Sequence, residues 1–165
     1  MSEQLQERQG YKVVTIPRGP RKNSKVLRVA WPERPELRAI YDAADEVVQA
    51  QRKLGAAKQT AQIALAAWQA AVGTENEQSL LAASAETETV RAEADTAAKA
   101  ANLAMWQKMA DLMPEWDLKD RDGKPLPQPK DDPEQIDKLD PYTYDLLLPG
   151  NKDNIWSDVL PNARS

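Results

Sequence analysis

A short acidic group precedes Gly123 and consists of Asp117, Asp120 and Asp122. Acidic side chains arranged around a glycine are typical of calcium-binding loops. An EF-hand loop aligned on Gly123 needs ligands at positions 118, 120, 122 and 129, but Leu118 and Pro129 occupy the outer two. We therefore interpret these residues as acidic side chains on a turn and predict no metal site.

A basic loop offers a second kind of chemistry and contains Arg18, Arg21, Lys22, Lys25 and Arg28. Such a group can bind phosphates. No aromatic ladder, recognition helix or glycine-rich cradle accompanies it, and the chain as a whole has a net charge of -4. We expect no nucleic-acid partner and favour contact with an acidic protein surface.

Cysteine and histidine are both absent. This excludes thiolate and imidazole metal sites, Cys/His nucleophiles and Ser-His-Asp triads. An enzyme would need a site built from carboxylates, Lys or Tyr, and no motif indicates one. The sequence therefore predicts a protein that is not an enzyme and needs no cofactor.

The two ends of the chain carry opposite charge. Residues 1–38 hold 9 Lys and Arg against 4 Asp and Glu, whereas residues 111–165 hold 7 against 13. This difference favours head-to-tail contact between copies, intramolecular docking of the ends, or separate partners for each end. With neither a signal peptide nor a long apolar run, we expect a soluble protein of the cytoplasm with no membrane partner.

The centre of the chain predicts two long alanine-rich helices. In the first, the spacing of alternately four and three residues predicts a coiled-coil seam through Ile40, Ala44, Val47, Gln51, Leu54, Lys58, Ala61, Leu65, Trp68 and Val72. The second follows Leu80, Ala83, Thr87, Val90, Ala94, Ala97 and Ala101, and then Met105, Met109 and Leu112. Gly73 suits a left-handed helix stop, and Thr74 with Glu77 predicts a reciprocal capping box. So short a turn makes the helices antiparallel.

Shorter elements flank this hairpin. Residues 11–16 and 25–31 predict two strands of a small N-terminal β-hairpin, and Asp122-Gly123 predicts a β-turn. Residues 131–139 and 141–148 predict short helical turns, and residues 151–160 offer one further helical face. The predicted fold is mainly α: segment 1–31 is an arm and β-hairpin, 32–113 an antiparallel helical hairpin, and 114–165 an irregular segment rich in Pro and Asp.

The predicted hairpin has little apolar bulk. Hydrophobic residues make up 41% of the chain, but many are alanine and phenylalanine is absent. Because alanine buries little apolar area, we expect part of the stability to come from a partner or from self-association. Trp68 and Trp106 fit a core, whereas Trp116 and Trp156 either cap the hairpin or anchor a partner.

The C-terminal segment contains a further pattern, made up of Trp116, Leu118, Asp122, Gly123, Pro125, Leu126, Pro127, Ile136, Leu139, Leu146 and Leu147. It resembles phage tail assembly chaperones, in which a tryptophan-led strand, an Asp-Gly turn and a proline exit precede a short leucine-rich helix. The resemblance covers residues 111–148, and the long alanine-rich hairpin departs from the family's pattern.

The resemblance implies a small protein of a tailed phage or prophage, located in the cytoplasm of the bacterial host. It would coat the tape measure protein, help to recruit tail tube subunits, and be absent from the finished virion. Two alternatives stay open: a structural virion component, such as a minor tail or capsid-associated protein, and a coiled-coil adaptor. We expect the partner to contact apolar residues of the C-terminal segment, namely Trp116, Leu118, Leu139, Tyr144, Leu146, Leu147, Ile155 and Trp156.

Overall fold

The computed structural model describes residues 5–29 and 34–148. The chain folds as predicted, mainly as helix, with two long packed helices, an N-terminal β-hairpin and short C-terminal helices. The described residues divide into two compact units. We call residues 43–102 the hairpin unit, and the described residues on either side of it, up to 42 and from 103, the terminal unit.

The terminal unit contains a three-stranded antiparallel sheet in the order β1-β2-β3. Strands β1 (Tyr11–Thr15) and β2 (Lys25–Val29) form the predicted hairpin, with Tyr11 opposite Val29. The last two residues of the predicted second strand lie outside the described residues. The sequence did not predict that β3 (Glu115–Trp116) pairs with β2, which joins the N-terminal segment to the C-terminal one.

The predicted turn at Asp122-Gly123 is confirmed. The amide of Asp120 donates to the carbonyl oxygen of Lys124 over 2.8 Å, and Gly123 takes the positive φ that the turn requires. The Asp120 carboxylate accepts the amides of Asp122 and Lys124, so it stabilises the loop itself.

Two short helical elements follow the turn, as predicted. A 3₁₀ turn spans Pro133–Ile136 and is capped by Asp132, whose side chain accepts the Glu134 amide. An α-helix spans Pro141–Leu147 and is capped by Asp140, whose carboxylate accepts the Thr143 amide over 2.9 Å. Proline at the first helical position suits both starts, because that position makes no intrahelical N–H bond. The predicted helical face at 151–160 lies outside the described residues.

The long helices are α1 (Arg34–Ala71) and α2 (Glu77–Leu112), and the helix Pro141–Leu147 is α3. Gly73 adopts the left-handed conformation, with φ 83°, as predicted. The predicted capping box differs in detail. The Glu77 carboxylate accepts the amide of Gly73 rather than that of Thr74, and the Thr74 hydroxyl donates back to the carbonyl oxygen of Ala71.

The seam between α1 and α2 is formed by two columns of residues on each helix, and on α1 one of the two predicted columns is correct. One column, at seven-residue spacing, is correct and comprises Ile40, Val47, Leu54, Ala61 and Trp68. The other column is shifted by one residue and is entirely alanine, comprising Ala43, Ala50, Ala57, Ala64 and Ala71. Gln51, Lys58, Leu65 and Val72, which were predicted to lie in the seam, are exposed.

A one-residue shift in the opposite direction occurs in α2. The column of Leu80, Thr87, Ala94 and Ala101 is correct, but Ser84, Arg91 and Ala98 replace the predicted Ala83, Val90 and Ala97. Small side chains let two helix backbones approach closely, which favours the alanines of the second α1 column over Leu65 or Val72 at the contact. Larger apolar residues are therefore left on the surface of the hairpin.

Candidate functional site

Most of the predicted partner-binding residues lie in the core of the terminal unit. Five of them are buried, namely Trp116, Leu118, Leu139, Leu146 and Leu147. Tyr144 is half-buried, and Ile155 and Trp156 lie outside the described residues. The apolar surface of the five buried residues is already covered within the chain, so in this conformation their side chains are not accessible to a partner.

Trp116 shows how completely this region is built into the fold. Its indole Nε1–H donates to the carbonyl oxygen of Pro127 over 3.0 Å, and its backbone amide donates to the Gln128 side chain over 2.8 Å. A tryptophan whose polar atom is satisfied and whose ring is 2% exposed is a core residue. Trp116 thus packs in the core of the terminal unit.

The opposite charges of the two ends meet inside the terminal unit. Arg8 and Lys130 both contact the Glu115 carboxylate, at 2.8 and 2.7 Å, and Arg21 contacts the Asp140 carboxylate at 2.9 Å. The hydrogen bond from Lys130 is the main cause that lowers the pKa of Glu115. Of the three arrangements that the charge difference favours, intramolecular docking is thus observed.

These contacts also reduce the number of cationic side chains with which the basic loop could bind an anion. Arg21 is held by Asp140 and by the carbonyl oxygen of Lys119, and Arg28 is 2% exposed. Two of the five cationic side chains are therefore directed inward. This weakens the case for phosphate binding by the loop.

The accessible apolar surface lies on the hairpin unit instead. Among the described residues, the exposed large hydrophobic side chains of this unit are Val48, Ile63, Leu65, Val72, Leu81 and Val90. They fall outside the seam because the seam is filled by alanine. The sequence pattern could have revealed them, since the alanines at 43, 50, 57, 64 and 71 repeat every seven residues.

The surface on one side of the seam, which we call the first flank, is mixed in character. It comprises Lys58, Leu65 and Val72 on the α1 side and Leu81, Glu88 and Asp95 on the α2 side. Lys58, Leu65 and Glu88 line a groove of about 320 Å³ whose floor includes Ala61 and Ser84. This shared groove shows that these positions of α1 and α2 face the same side.

Charge along the first flank is distributed unevenly. Glu88 pairs with Arg91 over 2.7 Å, and Asp95 pairs with Lys99 over 2.7 Å. The hydrogen bond from Lys99 is the main cause that lowers the pKa of Asp95, and the charge of Lys58, on the other helix, lowers it further. Lys58 and Asp95 are therefore near each other across the hairpin.

The surface on the other side of the seam, which we call the second flank, consists mostly of small and apolar side chains. It comprises Thr60, Ile63 and Ala67 of α1 and Ala83, Val90 and Ala97 of α2, all of them exposed. Ile63 is 64% and Val90 51% exposed. On this flank, Ile63 has only small neighbours, whereas the exposed Glu86 and Glu93 lie one turn on either side of Val90. The flank is therefore apolar with acidic side chains at its α2 edge, a surface that another helix can approach closely.

Across the described residues, no three Asp or Glu side chains cluster in a way that could hold a metal ion. None of the helices within residues 5–29 and 34–148 combines the length and apolar character needed to cross a membrane. Comparison of the chain with models of protein families, with curated proteins and with solved structures finds no match.

Proposed function

We propose that the chain is a non-enzymatic assembly chaperone of a tailed phage, which binds the tape measure protein and tail tube subunits during tail assembly. The observation that carries the proposal is the second flank, a mainly apolar surface on a hairpin whose own seam leaves Ile63 and Val90 exposed. The resemblance of residues 111–148 to tail assembly chaperones supplies the identity of the partner.

A helical client needs its exposed apolar surface covered. A tape measure protein is a long helical chain with exposed apolar stripes, and such stripes aggregate unless they are covered. A third helix laid along the second flank would bury apolar side chains against Ile63, Val90 and the alanines between them. The acidic character of the chain, with a net charge of -4, would help keep such a complex in solution.

The structure changes where we place the binding surface. Trp116, Leu118 and the leucines of α3 were predicted to contact the partner, but they form the core of the terminal unit. We therefore assign partner binding to the second flank. The resembling segment then has a folding role, because its strand β3 completes the sheet and its side chains fill the core.

Co-expression with a candidate tape measure protein tests the proposal. We expect a stable soluble complex that copurifies. The double variant Ile63→Lys/Val90→Lys should lose it, because two ammonium groups would be buried against the client. Val48→Lys is the matched control: Val48 is exposed to a similar extent, 48%, but lies outside the second flank.

Failure of both copurification and solubilisation with the unchanged chain would overturn the chaperone proposal. Equal loss in Val48→Lys and in the double variant would move the binding surface away from the second flank. Mass spectrometry of purified particles separates the chaperone from a virion component, since a chaperone should be absent from finished particles. An adaptor would bind a partner other than a tape measure protein.

A further inference from the structure

The two acidic residues at the edge of the second flank differ from the acids of the first flank. Glu88 and Asp95 each form an ion pair with a cation one turn further along the same helix. Glu86 and Glu93 are exposed, and neither forms an ion pair with any residue that the structure describes.

The sequence of α2 explains why these two charges stay uncompensated. A helix brings side chains three and four positions apart into contact, and around Glu86 and Glu93 all of those positions hold alanine, threonine or valine. The facing stretch of α1, residues 59–72, contains no charged residue. The charge of the second flank between Thr60 and Ala67 of α1 and its α2 side therefore comes from these two glutamates.

Both glutamates lie directly beside apolar surface. Val90 is 51% exposed and lies one turn from each of them. In coiled coils, residues that border an apolar stripe in this way form ion pairs between helices and determine which helices can pair. A client helix that covers Val90 would therefore bring its own edge residues within reach of Glu86 and Glu93.

The charges define the chemistry of such a helix. Acidic residues at its edge would meet two carboxylates and repel them, whereas Lys or Arg would pair with them. Glu86 and Glu93 are seven residues apart, about 10 Å along the axis at 1.5 Å per residue. The matching cations therefore also lie two turns apart. Only the edge of the client that runs along α2 is subject to this requirement.

We propose that Glu86 and Glu93 select client helices whose apolar stripe is bordered by Lys or Arg side chains two turns apart. This inference rests on the proposed function, because it takes the second flank as the client's binding surface and names the kind of client that fits. The apolar contacts supply the binding free energy, and the two glutamates discriminate between clients.

Two synthetic helical peptides test the selection. Both carry the same stripe of alanine and leucine, and they differ only at the edge positions, which are Lys in one peptide and Glu in the other. Fluorescence anisotropy of the labelled peptides measures their affinity for the full chain. At low ionic strength we expect the Lys peptide to bind about tenfold more tightly than the Glu peptide. The ratio should shrink at high salt, which screens exposed charges.

Charge reversal gives a matched pair of variants. Glu86→Lys/Glu93→Lys should reverse the preference, because the edge of the flank would then be cationic. Glu88→Lys/Asp95→Lys is the control, since it reverses two acids of the same helix at the same spacing and changes the net charge equally, but on the first flank. It should keep the preference of the parent. Both variants should keep the helical circular dichroism of the parent, because exposed ion pairs contribute little stability.

Equal affinity of the parent for both peptides, or binding of neither, would overturn the selection. An equal change in the two double variants would also overturn it, since the net charge of the chain would then account for the preference. If the parent captures a tape measure protein in either case, the chaperone proposal stands. Selection between the peptides by a chain that captures no tape measure protein would instead overturn the chaperone proposal alone.

Discussion

The terminal unit and the hairpin unit bury different kinds of side chain. The buried hydrophobic residues of the terminal unit include Trp116, three methionines and many leucines, whereas those of the hairpin unit are four alanines and Leu54. Exposure is reversed, because most of the exposed large hydrophobic residues among the described ones belong to the hairpin unit. The terminal unit buries most of its large apolar side chains, and the hairpin unit leaves more of its own exposed.

This comparison shows that resemblance and accessibility need not coincide. The segment that resembles a chaperone family lies where the chain is best packed, and its apolar residues stabilise the fold. The surface suited to a partner lies on the part that departs from the family's pattern. The sequence context of an apolar residue did not show whether its side chain stabilises the fold or lies on a surface suited to a partner.

The largest difference in stability between the two units should come from replacing Trp116. Trp116→Ala would remove a side chain that is 2% exposed, together with its hydrogen bond to Pro127. We expect the free energy of unfolding of the terminal unit to fall by about 3–5 kcal/mol. Urea denaturation followed by circular dichroism measures this. Ile63→Ala, in the hairpin unit, should change the value by less than about 0.5 kcal/mol.

Two neighbouring substitutions test the alanine seam. Ala57→Leu would insert a large side chain between α1 and α2 and should destabilise the hairpin unit by about 1–3 kcal/mol. Lys58→Leu places a leucine one position later, on the exposed first flank, and should leave the stability of the hairpin unit nearly unchanged. Thermal unfolding at low protein concentration compares them. A larger loss of stability in Lys58→Leu than in Ala57→Leu would instead support the seam that was predicted from the sequence.

Two glycines with left-handed φ test tight packing in the terminal unit. A Cβ at Gly19 would overlap the ring of Tyr142, whereas a Cβ at Gly10 would meet no atom within 4 Å. Gly10→Ala should therefore cost only the conformational strain of about 1–2 kcal/mol, and Gly19→Ala should cost more. Adding Tyr142→Ala to Gly19→Ala should recover the difference in unfolding free energy. Equal costs at both glycines would contradict the contact.

Acid should weaken the terminal unit through Asp140. Burial by itself raises the pKa of this carboxyl, but the hydrogen bonds from Thr143 and the Arg21 guanidinium outweigh burial and hold the pKa below its ordinary value. A carboxyl with a lowered folded pKa stabilises the fold above its ordinary pKa, and that contribution disappears as pH falls through the folded pKa.

The unfolding free energy should therefore decrease below about pH 4, and Asp140→Asn should reduce this decrease. At neutral pH, Asp140→Ala should cost about 1–2 kcal/mol through loss of the helix cap, and Asp140→Asn less, because asparagine caps well. Denaturant titrations at a series of pH values measure both effects. An unchanged pH profile in Asp140→Asn would exclude this role.

Local signals in the sequence were enough to predict the helical hairpin, the β-hairpin and the Asp-Gly turn. The left-handed stop at Gly73 and the turn at Gly123 need glycine chemistry that is visible in single residues. The second seam column was wrong because the larger apolar residues Leu65 and Val72 were preferred over the alanines one position earlier. Those alanines, at 43, 50, 57, 64 and 71, follow each residue of the first column by three positions without exception, so the repeat was visible in the sequence.

The sequence alone also did not show which apolar residues are accessible to a partner. Whether Trp116 and Leu118 are exposed depends on the pairing of β3 with β2, a contact between residues about ninety positions apart. Such long-range pairing leaves no periodic signal in either segment. The opposite charges of the two ends indicated that they could meet, and the contact of Arg21 with Asp140 shows one place where they do.

Native-state hydrogen exchange of the isolated chain, at a concentration that keeps it monomeric, tests the central claim most directly. That claim is that the hairpin unit is too thinly packed to be stable by its own contacts, whereas the terminal unit is well packed. We expect backbone amides of residues 43–102 to exchange through openings of lower free energy than amides of β2 and of Leu103–Leu112. Equal or greater protection of the hairpin unit would contradict the account.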